Sequence, residues 1–242
     1  MAMARTIRIL LTSVGRRVEL VQAFKSAAVR LNVKLILTGA DISNSAPALM
    51  HCDEAVIVPR ISDSMYIPTL LQICQQRQID ALIPTIDTDL LLLAKNREQF
   101  TQVGTKVAIA KPEKVALCRD KRYTADYFHS LGLESPTPVD DIRKYSGGFP
   151  AFIKPLDGSS SIGANRADDM TQLTQYATDL KNGYIIQPFV TGEEYTVDIC
   201  CDFEGAPLVI TPRKRLAVRA GEVLKTEIDQ REDIIDQMRT LV

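Results

Sequence analysis

The chain has 242 residues, 45% of them hydrophobic and 24% charged, with 29 lysines and arginines against 30 aspartates and glutamates. That length supports one large domain or two ordinary ones, with a core that buries roughly 70–75% of the extended-chain surface. The balanced charge excludes a bulk polyanion-binding surface, so nucleic acid is not an expected partner, and no apolar run nears the ~20 residues needed to cross a bilayer, so no membrane partner is expected either.

The first apolar stretch lacks a small-residue cleavage site and reads as a strand rather than a leader. The five cysteines are odd in number and form no C-x-x-C pair. That pattern predicts reduced, mostly buried thiols in a cytoplasmic protein.

In chain order, residues 7–12 form an apolar, β-branched run ended by Ser13, Val14 and Gly15. Residues 18–31 carry apolar side chains at helical spacing, and 33–38 form the next strand. A third strand at 55–58 closes at Pro59, a helix follows at 65–77, and a fourth strand at 81–83 stops at Pro84. An apolar helix starts near Leu90 with Asp87 or Thr88 as its cap, and a fifth strand lies at 107–110. This alternation predicts an α/β layer, a doubly wound parallel sheet over residues 1–110. Such sheets bind ligands at the carboxyl ends of their strands. There the candidates for holding a substrate are Arg16, Arg17, Asp41, Asp87 and Asp89, with either arginine suited to a carboxylate.

The texture changes at Lys111-Pro112, and residues 111–242 read as a second, α+β domain with lobes at about 111–190 and 191–242. Helices are expected at 113–117, 121–131, 170–180 and 233–242, and strands at 151–154, 184–190, 195–201 and 206–211.

Three stretches of this second part carry chemistry. Residues 151–154 deliver Lys154 to a strand end, Pro155 stops the ladder, and Gly158, Ser159, Ser160, Ser161 and Gly163 follow. Successive N–H groups and hydroxyls in such a loop make an anion-binding concavity beside a compact cation; a solvated surface turn is the competing reading. The lysine precedes the glycines, so this is not G-x-x-x-x-G-K-[ST], and G-x-G-x-x-G is absent. Further on, Gln187, Phe189, Val190 and Glu194 lie around two apolar strands that can line a flat aromatic ligand, with backbone groups for a base edge and a carboxylate for ribose hydroxyls. A β-hairpin with an acidic turn is the plain alternative. Upstream, Asp120 is a natural N-cap, and Lys121 sits in the first helical turn, where a cation opposes the helix dipole.

In this order the three stretches resemble the ATP-grasp superfamily, closest to the branch of the carbamoyl-phosphate synthase large subunit, and the α/β layer is similar to the domain that precedes an ATP-grasp fold. The resemblance implies that ATP is bound by Lys121, Lys154, Gly158, Ser159, Ser160, Ser161 and Gly163 at its phosphates, by Gln187, Phe189 and Val190 at adenine, and by Glu194 at ribose. Gln187 stands where relatives commonly have glutamate. Arg213, Lys214, Arg215 and Arg219, which follow a strand, would face the terminal phosphate or an acyl phosphate, a solvated basic loop being the alternative.

The implied activity is ATP-dependent carboxylate–amine ligation on small molecules, and a homodimer is a common arrangement in similar proteins. Mg2+ belongs to that chemistry, but the acidic residue on a late strand and the Glu-x-Asn pair that hold it are not found before Val242. The sequence therefore reads as an ATP-grasp domain lacking its last strands. A nucleotide-binding module without catalysis, or one part of a split synthase, stays open beside the ligase.

Overall fold

The computed structural model describes residues 5–156, 161–180, 183–219 and 221–242. It divides into two compact units, Met1–Val115 and Ala116–Val242.

The first unit contains, in chain order, β1 (Thr6–Thr12), α1 (Val18–Arg30), β2 (Lys34–Asp41), β3 (Glu54–Ile57), α2 (Tyr66–Arg77), β4 (Ala81–Pro84), α3 (Leu90–Lys95), α4 (Arg97–Gln102) and β5 (Lys106–Val107). The strands form one five-stranded sheet, ordered β3-β2-β1-β4-β5, with parallel pairing throughout. Apolar runs serve both faces of such a sheet. Leu10 and Leu82 pack with Tyr66, Leu70, Cys74 and Phe100, while Ile9, Leu11 and Leu37 pack with Val14, Val21 and Leu49. Each fully buried aliphatic side chain contributes about 1.5–3 kcal/mol. The chain winds outward from β1 to β3 and returns to β4 on the other side of β1. The loops after β1 and β4 therefore part at the carboxyl end of the sheet, where this topology leaves a crevice.

After α5 (Pro112–Arg119), the second unit runs α6 (Lys121–Ser130), β6 (Ala151–Pro155), β7 (Asn165–Ala167), α7 (Met170–Asp179), β8 (Tyr184–Pro188), β9 (Tyr195–Cys201), β10 (Pro207–Arg219), β11 (Glu222–Ile228) and α8 (Glu232–Leu241). It holds two antiparallel three-stranded sheets, β7-β6-β8 and β11-β10-β9. Ala151, Ile153, Ala167 and Ile186 form a small core with Leu173 of α7. Asp120 caps α6 by accepting from the Arg122 N–H at 3.0 Å, and Asp169 caps α7 by accepting from the Gln172 N–H at 2.8 Å.

Several expectations change. The strands expected at 184–190 and 195–201 are not a hairpin; β8 and β9 lie in different sheets. The basic run does not follow a strand but lies inside β10, which pairs on both sides. β7 and β11 escape the sequence pattern because one is three residues long and the other mixes charged with apolar residues, so pairing with neighbours holds them. Neither Asp87 nor Thr88 caps α3; residues Asp87–Asp89 make a 3-10 turn with no side-chain cap. Cys74 is buried and Cys52 and Cys201 are partly covered, but Cys118 and Cys200 are exposed, so the thiols are not mostly buried. Among the described residues no helix is long and apolar enough to cross a membrane.

Candidate functional site

In the second unit, alternation along β6 turns Ala151 and Ile153 into the core beneath α7 and leaves Phe152 and Lys154 on the opposite face. Lys154 is half-buried, its ammonium 5.6 Å from the Phe152 ring centroid. Among the described residues no carboxylate lies within ion-pair distance of it. Burial, and then the charge of Lys121, push its pKa below the ordinary lysine value. Lys121 opens α6, and its backbone N–H and its Nζ both donate to the Leu156 carbonyl at 3.3 Å. The tip of β6 is thus the meeting point of two cations.

The chain returns from the glycine–serine loop through Ser161 (φ +54°) and Gly163 (φ +74°). A Cβ at Gly163 would stand 3.0 Å from Leu180 and 3.2 Å from Pro155, so the left-handed backbone and the close approach both require glycine there. Gly158, Ser159 and Ser160 lie outside the described residues. On β8, Gln187 is buried and its Nε2 donates to the Pro136 carbonyl at 2.6 Å, tying down a segment that also bridges Val139 to Ile186. The Phe189 N–H donates to the Pro150 carbonyl at 3.1 Å, so it is not free to read a base edge, whereas Val190 is exposed. Phe189 stands edge-on to Phe152 with centroids 6.1 Å apart, and the Arg166 guanidinium lies 5.1 Å from its ring. Phe152 and Arg166 escaped the sequence reading; their places opposite each other in the β6–β7 register gave no signal without β7.

On the β9–β10 sheet the cations are paired rather than free. Arg213 pairs with Asp198, Lys214 with Glu193 and Arg215 with Glu194. Arg215 also donates to the Gly221 carbonyl at 3.1 Å, and Arg219 ends the strand opposite Glu222. Three carboxylates thus offset Arg213, Lys214 and Arg215, and Glu194 is engaged with Arg215. On strand alternation Arg213 and Arg215 share a face and Lys214 takes the other, where Tyr195 donates to Asp229 at 2.7 Å.

In the first unit, the turn that ends β1 is hydrogen-bonded to β2 on one side and to Thr85, just after β4, on the other. Val14 N–H donates to the Ala40 carbonyl at 3.1 Å, and Thr85 Oγ1 reaches the carbonyls of Thr12 at 2.9 Å and Ser13 at 2.7 Å. Two of the five substrate candidates hold the fold together through hydrogen bonds. Asp41 accepts from the backbone N–H of Gly15 at 2.9 Å and of Ser43 at 3.2 Å. Asp89 is 0% exposed and accepts from Thr12 Oγ1 at 2.9 Å and the Tyr66 hydroxyl at 3.1 Å, so it cannot touch a substrate. Arg16 and Asp87 are exposed and Arg17 is half-buried. Among the described residues no group of three or more acidic, histidine or cysteine side chains is placed to hold a metal ion.

Comparison with known proteins bears on the family and fold of both units. Residues 9–108 match the PylC-like N-terminal domain and residues 118–242 match the ATP-grasp domain. The 3-methyl-D-ornithine–L-lysine ligase of Methanosarcina acetivorans is 27% identical over 154 residues, which are 63% of this chain and 36% of that protein. The large chain of carbamoyl phosphate synthase from Clostridium perfringens is 26% identical over 174 residues, 66% of this chain and 15% of the relative. The crystal structure of an L-amino acid ligase from Bacillus licheniformis has the same fold, with a TM-score of 0.70 at 16% identity, over 98% of this chain and 59% of the other. The chain thus spans about a third of the lysine ligase it matches. With the second unit matched over its length and preceded by a parallel α/β layer, the chain belongs to the ATP-grasp superfamily.

Proposed function

We propose that this chain binds ATP and takes part in ATP-dependent joining of a small carboxylate to an amine, in the manner of the carboxylate–amine ligases. The observation that carries this reading is the pair of cations at the tip of β6, with Lys154 half-buried and without a carboxylate among the described residues. Removing an ammonium from water without a counter-ion is unfavourable unless an anion arrives. A polyphosphate beside Lys154, near Lys121 and the glycine-rich return at Ser161 and Gly163, supplies that anion. The exposed edge at Val190 and the Phe152–Phe189 pair suit the base, and Glu194 suits the ribose once it leaves Arg215.

Bound ATP supplies a phosphoryl group that activates a carboxylate toward an amine. The chain's own residues hold and orient: Lys154 and Lys121 fix the phosphates, and Arg213 and Arg215 stand on one sheet face for developing negative charge. The relatives act on amino acids by name, which supports an amino acid as one substrate. The carbamoyl-phosphate-synthase-like assignment is a narrower version of the same proposal. The cancellation of the β10 cations by Asp198, Glu193 and Glu194 supports a second reading, in which the chain binds nucleotide without turning it over.

Titration with a fluorescent ATP analogue, alongside ADP release in magnesium, tests both. The ligase reading expects binding by the wild-type chain, at least tenfold weaker binding by Lys154→Ala, and ADP release that depends on an added carboxylate and amine. Binding without release favours the second reading. Equal binding by Lys154→Ala overturns the phosphate site.

A further inference from the structure

Glu194 cannot serve a ribose and Arg215 at the same time. We infer that the Glu194–Arg215 pair is an autoinhibitory latch: it keeps the Arg215 guanidinium neutralised until the hydroxyls of a nucleoside draw Glu194 away. The inference concerns regulation of the nucleotide site and rests on the nucleotide reading of that site.

The two ends of the pair differ in freedom. The Glu194 side chain is 63% exposed and the Arg215 side chain only 16%, so the carboxylate can swing away while the guanidinium stays. Arg215 is anchored twice besides. Its backbone N–H donates to the Glu194 carbonyl at 2.8 Å, and its Nη2 donates to the Gly221 carbonyl at 3.1 Å. Nη1 is the atom that meets the carboxylate. Opening the latch therefore breaks a side-chain contact and leaves the backbone bond beside it in place. The Arg215 Nε–H is buried and has no hydrogen-bond partner among the described residues, so the latched guanidinium is not fully satisfied.

An exchange of partners fits the chemistry of both groups. An ion pair with one end open to water holds weakly. Two vicinal ribose hydroxyls can donate to one carboxylate in charge-assisted hydrogen bonds, which offset what Glu194 loses on leaving Arg215. Nη1 then carries uncompensated positive charge on the sheet face that Arg213 shares. Arg213 is not released with it, because its partner is Asp198, and Lys214, paired with Glu193, takes the other face. An inorganic polyphosphate brings no hydroxyls and meets an arginine that is already neutralised. The latch thus favours a nucleotide over anions of the same charge, and nucleoside and polyphosphate each strengthen the binding of the other.

Isothermal titration of the full chain with ATP, 2′,3′-dideoxy-ATP and inorganic tripolyphosphate tests the latch. The wild type is expected to bind ATP more tightly than the dideoxy form. Glu194→Ala is expected to bind ATP and its dideoxy form equally, and to bind tripolyphosphate about threefold more tightly than the wild type, the scale of one partly exposed ion pair. Glu194→Gln keeps the size of the side chain and is expected to show the same gain, which guards against a folding defect in the alanine variant. Glu193→Ala removes the same charge from the neighbouring residue, whose partner lies on the other face, and is expected to leave tripolyphosphate binding unchanged. Equal binding of ATP and its dideoxy form by the wild type, no gain for tripolyphosphate in either Glu194 variant, or an equal gain in Glu193→Ala overturns the latch and leaves the nucleotide site standing. No ATP binding by the wild type overturns the nucleotide reading itself, and the latch falls with it.

Discussion

Asp89 in the first unit and Lys154 in the second are ionisable groups of opposite sign, each withdrawn from water and each without an opposite charge beside it among the described residues. Their surroundings differ in kind. Asp89 is fully buried and met by hydroxyl donors from β1 and α2, so it ties elements of one sheet together. Lys154 is only half-buried, has an aromatic ring for a neighbour, and feels a second lysine. A carboxyl met by hydroxyls from two elements acts as a fastener, even with one oxygen left without a partner among the described residues. A charge crowded by its own sign and left partly open calls for something from outside.

The sharpest way to break this contrast is to remove each group. Asp89→Ala leaves the Thr12 and Tyr66 hydroxyls buried without their acceptor and is expected to cost about 2–4 kcal/mol of stability by chemical denaturation. Lys154→Ala is expected to lose about 10–100-fold in nucleotide affinity, the worth of one charge-assisted contact, while the unliganded melting temperature holds or rises. A fall in melting temperature with intact affinity would reverse the two roles.

Gln187→Glu is expected to cost about 1–2 kcal/mol, since a carboxylate cannot donate to the Pro136 carbonyl. A thermal melt checks it. Asp169→Ala should cost about 1 kcal/mol through the lost cap of α7, measured the same way.

The smallest effect is in pH. Burial raises the Asp89 carboxyl above the ordinary aspartate range, so its contribution is fully present below about pH 4 and declines as pH rises through the raised value. Melting temperatures of wild type and Asp89→Asn should therefore draw apart in favour of the variant from pH 4 upward. A constant difference would show that this carboxyl does not titrate differently on folding. Lys154 runs oppositely: its lowered value makes the unliganded fold less stable while the lysine is protonated, and the penalty fades as pH climbs through that value toward the ordinary lysine range.

Much of the scaffold was legible because local patterns agreed with the tertiary answer. The apolar runs at 7–12 and 33–38 become the doubly covered β1 and β2, and Asp120 does cap α6. The place of Lys154 near the end of β6 was readable because an apolar run precedes it and a proline follows it directly in the chain. What escaped depends on partners distant in sequence. Nothing around Asp89 in the sequence signals that it will be buried where Thr12 and Tyr66 meet it. The pairing of Arg213 with Asp198 and Arg215 with Glu194 likewise exists only once β9 and β10 lie side by side.

The uneven placement of the thiols gives the second unit a ready-made reporter system. Cys118 on α5 and Cys200 on β9 are exposed, whereas Cys74 is enclosed and burial raises its pKa to about 11. Maleimide dyes should attach to Cys118 and Cys200 first, without engineering, and a donor–acceptor pair there would register any change in their separation when nucleotide is added.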